Sequence, residues 1–286
     1  MATLKVIRKR IASVKNTQKI TKALKMVSAA KLRRAQDAAT AARAYADKLS
    51  ALLRNVAARV EDRSHPLLQV RDAERSTHVL LVTADRGLCG GYNGNLIRKA
   101  EALLHERGAD KVRLTIVGRR GFDYFKRRSV TIADKHINLF GGPNAALANS
   151  LAEQLAREFA DGTTDGVFVV YNHFRSALVQ TPTVQQLLPI ATPAEGGADM
   201  VDYLYEPDAP TLLDRLLRQY ISVLIHRAFL EAAASEHGAR MTAMESATNN
   251  ASEMIDRLTL DMNRARQATI TKELMEIVGG AEALKG

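Results

Sequence analysis

Stepping alternately by three and four residues from Leu4, one face of the chain reads Leu4, Ile7, Ile11, Val14, Gln18, Thr21, Lys25, Ser28, Leu32, Ala35, Ala39, Ala42, Ala46, Leu49, Leu53, Val56 and Val60. An apolar repeat averaging 3.5 residues is the seam of a coiled coil. The seam turns polar between Gln18 and Ser28, where Ile20, Leu24 and Val27 stand at neighbouring positions. A straight helix drifts about 20° per heptad against a seven-residue repeat, so the seam is expected to pass to those residues. Near the other end the same stepping gives Met241, Met244, Thr248, Ala251, Ile255, Leu258, Met262, Ala265 and Thr269, with a similar stripe upstream at Leu213, Leu217, Tyr220 and Leu224. At 1.5 Å per residue the two arms would run roughly 85 and 100 Å. That exceeds a compact domain and points to a coiled coil.

Between the arms the period changes. All seven prolines fall from Pro66 to Pro210, no glycine precedes Gly87, and after Gly197 only Gly238, Gly279, Gly280 and Gly286 remain. Helix breakers thus collect in the middle. The runs HVLLVTA (78–84), VRLTIVG (112–118) and GVFVVYN (166–172) read as buried parallel strands, separated by helical stretches near 93–107, 119–127 and 145–160. This alternation predicts an α/β protein: an open, mainly parallel, Rossmann-like sheet domain with crossover helices. TPTVQQLLPIA (181–191) adds an edge strand whose pairing Pro182 and Pro189 restrict. The expected division is an N-terminal coiled-coil helix over 1–62, the α/β domain over 63–208 and a C-terminal coiled-coil helix over 209–286. An insertion between two long helices is most simply built as a long antiparallel coiled coil with the domain at one end.

Charge is unevenly spread. Residues 1–60 hold fifteen Lys and Arg against Asp37 and Asp47, a balance of +13, which leaves −3 for the rest of a chain whose net charge is +10. A basic arm on a near-neutral body suggests an acidic partner. No charge-free apolar run reaches the roughly 18 residues of a membrane span. The basic N-terminus lacks the apolar core of a signal peptide and runs on into the patterned helix, so it is expected to be retained rather than cut away. Cys89, the single cysteine, allows no internal disulfide.

TADRGLCGGYNGNL (83–96) follows a strand and opens a helix, the usual setting for phosphate binding. Its glycines at 87, 90, 91 and 94 do not make the dinucleotide spacing, and no glycine in the chain is followed by lysine, so the Walker loop is absent too. A tight strand-to-helix turn is expected instead. The seven histidines show no metal spacing, no Gly-x-Ser-x-Gly elbow occurs, and no catalytic or cofactor-binding set is found. Asp85 and Arg86 are expected to form a local salt bridge, and HGAR (237–240) a helix irregularity around Gly238.

ADRGLCGGYNGNL resembles the signature loop of the γ subunits of F-type ATP synthases, the central rotor stalk. RIASVKNTQKITKALKMVSAAKLRRAQ (10–36) is similar to that family's N-terminal helix and DYLYEPD (202–208) to its lower segment. The stretch from Ala239 to Leu284 resembles its C-terminal helix and closing motif. The resemblance implies a non-catalytic rotor that couples turning of a membrane ring to conformational change at catalytic sites on β subunits. It implies partners in the α and β subunits, the ε subunit and the ring of c subunits, with no nucleic acid, no membrane span and no cofactor. It implies a peripheral position on the cytoplasmic face of a bacterial plasma membrane. Residue by residue, it implies that Arg266 and Gln267 latch onto a β subunit, that Tyr205 and Glu206 meet the c ring, and that Gly87, Gly90, Gly91 and Gly94 form a structural loop. Chloroplast members carry an inserted cysteine pair; with Cys89 alone, thiol switching is not expected. The residues by themselves leave two alternatives, a basic coiled coil that binds nucleic acid and a small α/β phosphate-binding enzyme.

Overall fold

The computed structural model describes residues 4–57, 65–71, 75–139, 144–191 and 208–283. Two long helices, α1 (Leu4–Ala57) and α5 (Ala209–Ala283), bracket β1 (Thr77–Val82), α2 (Tyr92–Arg107), β2 (Val112–Val117), α3 (Arg119–Phe125), β3 (Thr131–His136), α4 (Ala145–Ala160), β4 (Gly166–Phe174) and β5 (Gln180–Leu188). The chain divides into two compact units. One comprises residues 28–240 and the other residues 1–27 with 241–286.

The larger unit is a five-stranded sheet of order β3-β2-β1-β4-β5, with β5 alone antiparallel. Every residue of β1 is buried because both faces of the sheet are covered, which is why the strand reads as an unbroken apolar run. On one face Leu80, Val82, Val117, Val169 and Tyr171 pack against Leu151, Leu155 and Phe159 of α4, and against Leu53, Val56, Leu217, Ile221 and Phe229 of the long helices. On the other, Val79, Leu81, Leu114, Ile116 and Val170 meet Leu96 and Leu103 of α2 and Phe125. Helix α4 shows how sequence sets such an element. Asn144 caps it, its side chain accepting from the Leu147 N–H at 3.0 Å. Ala148, Leu151, Ala152, Leu155, Ala156 and Phe159 recur at helical spacing on the buried face.

The expected edge strand is present as β5, with Pro182 opposite Asn172 on the sheet's rim, where a missing N–H is tolerated. The other edge, β3, went unpredicted; half-buried and carrying Asp134 and Lys135, it lacks the apolar run of its neighbours. No irregularity surrounds Gly238, contrary to expectation. Helix α5 runs through it unbroken, and the missing side chain lets the helix pass the turn before β5. A Cβ there would lie 3.3 Å from Ala177 Cα.

In the smaller unit, Thr21 faces Thr248 and Lys25 faces Glu245, with hydroxyl oxygens 2.8 Å apart and an ion pair of 2.6 Å. Numbers rise on one helix as they fall on the other, so the pair is antiparallel. Of the three neighbouring residues only Leu24 is half-buried; Ile20 and Val27 stay 60% and 53% exposed, while Thr21 is buried and Gln18 and Lys25 are half-buried. The physical reason lies across the seam: Thr248 and Glu245 satisfy the polar groups, so the three-four stepping continues without a shift. Coverage of α5 ends at Ala265; from Arg266 to Ala281 every residue is exposed. Among the described residues no helix is long and apolar enough to cross a membrane.

Gly118, closing β2, is held at φ +97°, and a Cβ there would sit 2.1 Å from the Thr83 carbonyl oxygen. Gly118→Ala should therefore lower unfolding free energy by about 2–5 kcal/mol, from backbone strain and overpacking together. Denaturant melts of the two proteins would check this.

Candidate functional site

In an open α/β sheet, ligands bind outside the carboxyl ends of the strands where the strand order reverses. Here that point lies between β1 and β4, since the chain runs outward from β1 through β2 to β3 and then returns to β4. Helix α5 occupies the position. Ser235 Oγ donates to the Asn172 carbonyl at 3.1 Å, and Tyr92 Oη, at the start of α2, donates to the Ala232 carbonyl at 3.2 Å. Burial, with the nearby Glu236 charge, raises the Tyr92 hydroxyl well above its usual range, so it remains a donor.

At the centre stands Glu231, whose side chain has no solvent exposure. Arg43 of α1 reaches it at 3.1 Å and Arg227, one turn back, at 3.1 Å; His173 Nδ1 of β4 closes on its other oxygen. Arg43 also donates to the Phe174 carbonyl at 3.3 Å. Burial pushes the Glu231 carboxyl up, but the Arg227 hydrogen bond and the neighbouring His173 and Arg227 charges outweigh it and hold the group below the usual carboxylate range. Burial, then the Glu231 charge, push the Tyr171 hydroxyl up to about 12. One carboxylate thus ties both long helices to the sheet.

The glycine loop is the second grip. Arg240 of α5 donates to the Gly87 carbonyl from Nε and Nη2, each at 3.3 Å, and Nη2 also meets Glu236 at 2.6 Å. Gly90 takes φ +55°, the left-handed turn that starts α2, and Gly91 is the residue before the helix. A Cβ at Gly87 would press on the Arg120 guanidinium, whereas Gly94 has open space around it. Amides at both ends of the loop are used internally: Ala84 N–H donates to Asn93 Oδ1 and Tyr92 N–H to the Cys89 carbonyl. Asp85 does not pair with Arg86 as expected. It accepts from the backbone N–H groups of Arg119, Asn138 and Leu139 at 2.8–3.0 Å, because three converging amides bind a carboxylate better than one exposed neighbour does. Arg266 and Gln267 are exposed on α5. Tyr205 and Glu206 lie outside the described residues. Among the described residues, no group of three or more His, Cys, Asp or Glu could hold a metal ion.

Sequence reasoning missed Arg43, His173, Arg227 and Glu231. One signal was available: Leu217, Ile221, Leu224, Ala228, Glu231 and Ser235 form one buried ridge, so an acid sits where the period demands an apolar residue.

The arrangement defines an α/β protein whose sheet domain is inserted between two long helices, one of which fills the domain's ligand crevice. The family model for ATP synthase matches residues 3–284. The chain is 50% identical to the ATP synthase gamma chain of Moorella thermoacetica over 285 residues, and 51% identical to that of Anaeromyxobacter sp. (strain Fw109-5) over 295, with each chain covered fully. Among solved structures it is similar to a chain of the Tetrahymena thermophila mitochondrial ATP synthase central stalk and c-ring, at TM-score 0.61 and 25% identity over 80% of this chain and 99% of that one. The fold is also that of a chain in the Euglena gracilis mitochondrial enzyme, at TM-score 0.68 and 21% identity over 98% of this chain and 94% of that one. The chain belongs to the ATP synthase gamma chain family, the non-catalytic central-stalk subunits of that enzyme.

Glu231→Ala should lower stability by about 3 kcal/mol, since it strands Arg43 and Arg227 against the sheet while leaving both some water. The Glu231 pKa is depressed on folding. Its contribution is therefore complete above the ordinary value of 4.5 and is lost as pH falls through the lower folded value. Denaturant melts from pH 7 to 3 should show a flatter pH dependence for the variant below pH 4.5.

Proposed function

We propose that the helix pair stands inside a hexamer of α and β subunits, and that the sheet domain rests on a ring of membrane c subunits and binds the ε subunit. The complex would lie on the cytoplasmic face of a bacterial plasma membrane. In this reading residues 1–62 and 209–286 form the shaft and 63–208 the foot, and proton flow through the ring turns both. The observation that carries it is the free end of α5. Ile270, Leu274, Met275, Ile277 and Val278 are each more than half exposed. At 100° per residue they cover roughly 160° of the helix. Apolar surface of that extent on an uncovered stretch of helix marks a contact with other subunits, which a surrounding ring of them supplies.

The glycine loop at Gly87, Gly90, Gly91 and Gly94 then serves to grip α5, not a nucleotide; the filled crevice supports that role. The +13 arm faces acidic loops of its surroundings. Arg266 and Gln267 form the latch on one β subunit. Both are exposed, and a forked guanidinium–carboxylate pair is strong enough to bias an orientation and weak enough to release at each step. Tyr205 and Glu206 form the contact with the c ring. Asp208 caps α5, accepting from the Thr211 N–H at 2.9 Å, which starts the helix just beyond that segment.

Protein purified from its native membrane should carry α and β subunits in excess; recovery with nucleic acid, or alone, would defeat the reading. Arg266→Ala should assemble yet slow steady-state ATP hydrolysis severalfold, and a wild-type rate across salt concentrations would remove the latch. Glu206→Lys should leave soluble hydrolysis intact while lowering protons pumped per ATP in membrane vesicles. Unchanged pumping would remove the ring contact.

A further inference from the structure

We propose that the corner of the sheet domain formed by Lys111, Lys126, Arg127 and Arg128 is a docking surface for the headgroups of anionic phospholipids. For its orientation the proposal rests on the reading of Tyr205 and Glu206 as the ring contact. Residues 119–136 carry Arg119, Arg120, Lys126, Arg127, Arg128 and Lys135 against Asp123 and Asp134, a balance of +4. Outside the basic arm, the body around them nets −3.

Three of these cations are consecutive and exposed. Helix α3 ends at Phe125 in a series of tight bonds: Lys126 N–H to the Phe122 carbonyl at 3.0 Å, Arg127 to Tyr124 at 3.4 Å and Arg128 to Phe125 at 2.9 Å. The negative end of a helix favours a cation. It does not explain the way Arg128 is held: its guanidinium lies 4.8 Å over the Tyr124 ring and donates to Tyr124 Oη at 2.8 Å, while that hydroxyl donates to Glu101 at 2.6 Å. Arg127 has no acidic partner among the described residues. Arg113 of β2 pairs in register with Thr131 of β3, so exposed Lys111, just before β2, opens onto the same edge.

That edge is the one at which α5 begins. Asp214 bonds His65 at 3.1 Å, Ile190 N–H donates to the Leu67 carbonyl, and Leu188 lies opposite Val167 at the start of β4. Ile190 and Asp208, the described residues on either side of the stretch that holds Tyr205 and Glu206, both stand on this side. The basic corner stands by β3, four strands from β5. At about 4.8 Å per strand it is displaced roughly 19 Å to the side. A surface facing the bilayer but set outboard of the ring contact meets lipid.

An acidic protein fits less well. Among the described residues, no large exposed apolar residue falls between Leu88 and Leu178, so the corner lacks the apolar anchors of a protein interface. On the neighbouring strand edge the Lys135 N–H is taken by Asp134 Oδ1 at 2.7 Å, and charged Asp134 and Lys135 blunt that edge against strand pairing. What remains is a net positive corner: Lys111 and Arg127 face solvent, Arg128 rests on Tyr124, and Lys126 pairs with Asp123. Such a corner has the chemistry that recognises phosphate on a charged membrane.

Hydrogen exchange on the full chain, with phosphatidylcholine vesicles with and without phosphatidylglycerol, tests this residue by residue. Amides of 119–131 should be protected by the anionic vesicles alone and released by high salt. Each cation near an anionic surface contributes roughly fivefold, so Lys126→Gln/Arg127→Gln/Arg128→Gln should raise the vesicle concentration needed about a hundredfold. Arg127→Gln, with no ion pair to lose, should raise it about fivefold and guards against misfolding of the triple variant. Protection confined to residues 1–60, or unchanged by these substitutions, overturns the proposal. Equal protection by polyglutamate points to an acidic protein, and by inorganic phosphate to a free anion; either also overturns it. No other subunit is needed, so failed co-assembly would defeat the stalk reading while leaving the vesicle result intact.

Discussion

Glu231 lies without solvent access on the ridge of α5 that enters the crevice between β1 and β4, and a charge in that position obliges other elements to come to it. Arg43 comes from α1, His173 from β4 and Arg227 from α5 itself. Apolar side chains pack over the same junction, but apolar contacts can slide by a fraction of an ångström at small cost. A buried carboxylate with three fixed donors cannot, because any displacement leaves charge unpaired at low dielectric. The hydrophobic core supplies the bulk of the adhesion, and the ionic cluster supplies its direction. Resistance to sliding is what a part that transmits force needs at such a joint.

The α/β domain is used here in an unusual sense. Its strand order creates the crevice in which related architectures hold nucleotides, and its first loop after β1 is rich in glycine as in those proteins. The ligand is instead a helix of the same chain. Tyr92 and Ser235 bond across the interface, and Arg240 reads the Gly87 carbonyl much as a phosphate might be read by a loop, with the roles of cation and loop exchanged.

Much of this was legible in the sequence, and for identifiable reasons. The seam positions from Leu4 to Val56 are buried or half-buried, because a 3.5-residue repeat fixes which face of a paired helix is covered regardless of partner. Three parallel strands were visible as unbroken apolar runs. Strand β3 was not, since an edge strand buried on neither side by much has no such run. Gly238 read as a flaw in a helix because its reason, the approach of Ala177, lies 61 residues away in the chain. Glu231 was overlooked for a similar reason: the groups that make an acid tolerable on an apolar ridge come from elements distant in sequence. The sites proposed from family resemblance, Arg266, Gln267, Tyr205 and Glu206, owe nothing to pattern, because their partners are other molecules.

The polar stretch of the seam has a consequence of its own. An apolar coiled coil is nearly indifferent to sliding by one heptad, since leucine meets leucine again after about 10 Å. The Thr21–Thr248 and Lys25–Glu245 contacts remove that indifference. A slip of seven residues would set Thr21 against Ile255 or Met241 and Lys25 against Ser252 or Gly238, so only one alignment makes both the hydroxyl contact and the ion pair across the seam. The four polar residues act as an index mark, cut into the two helices so that they can be assembled to only one length.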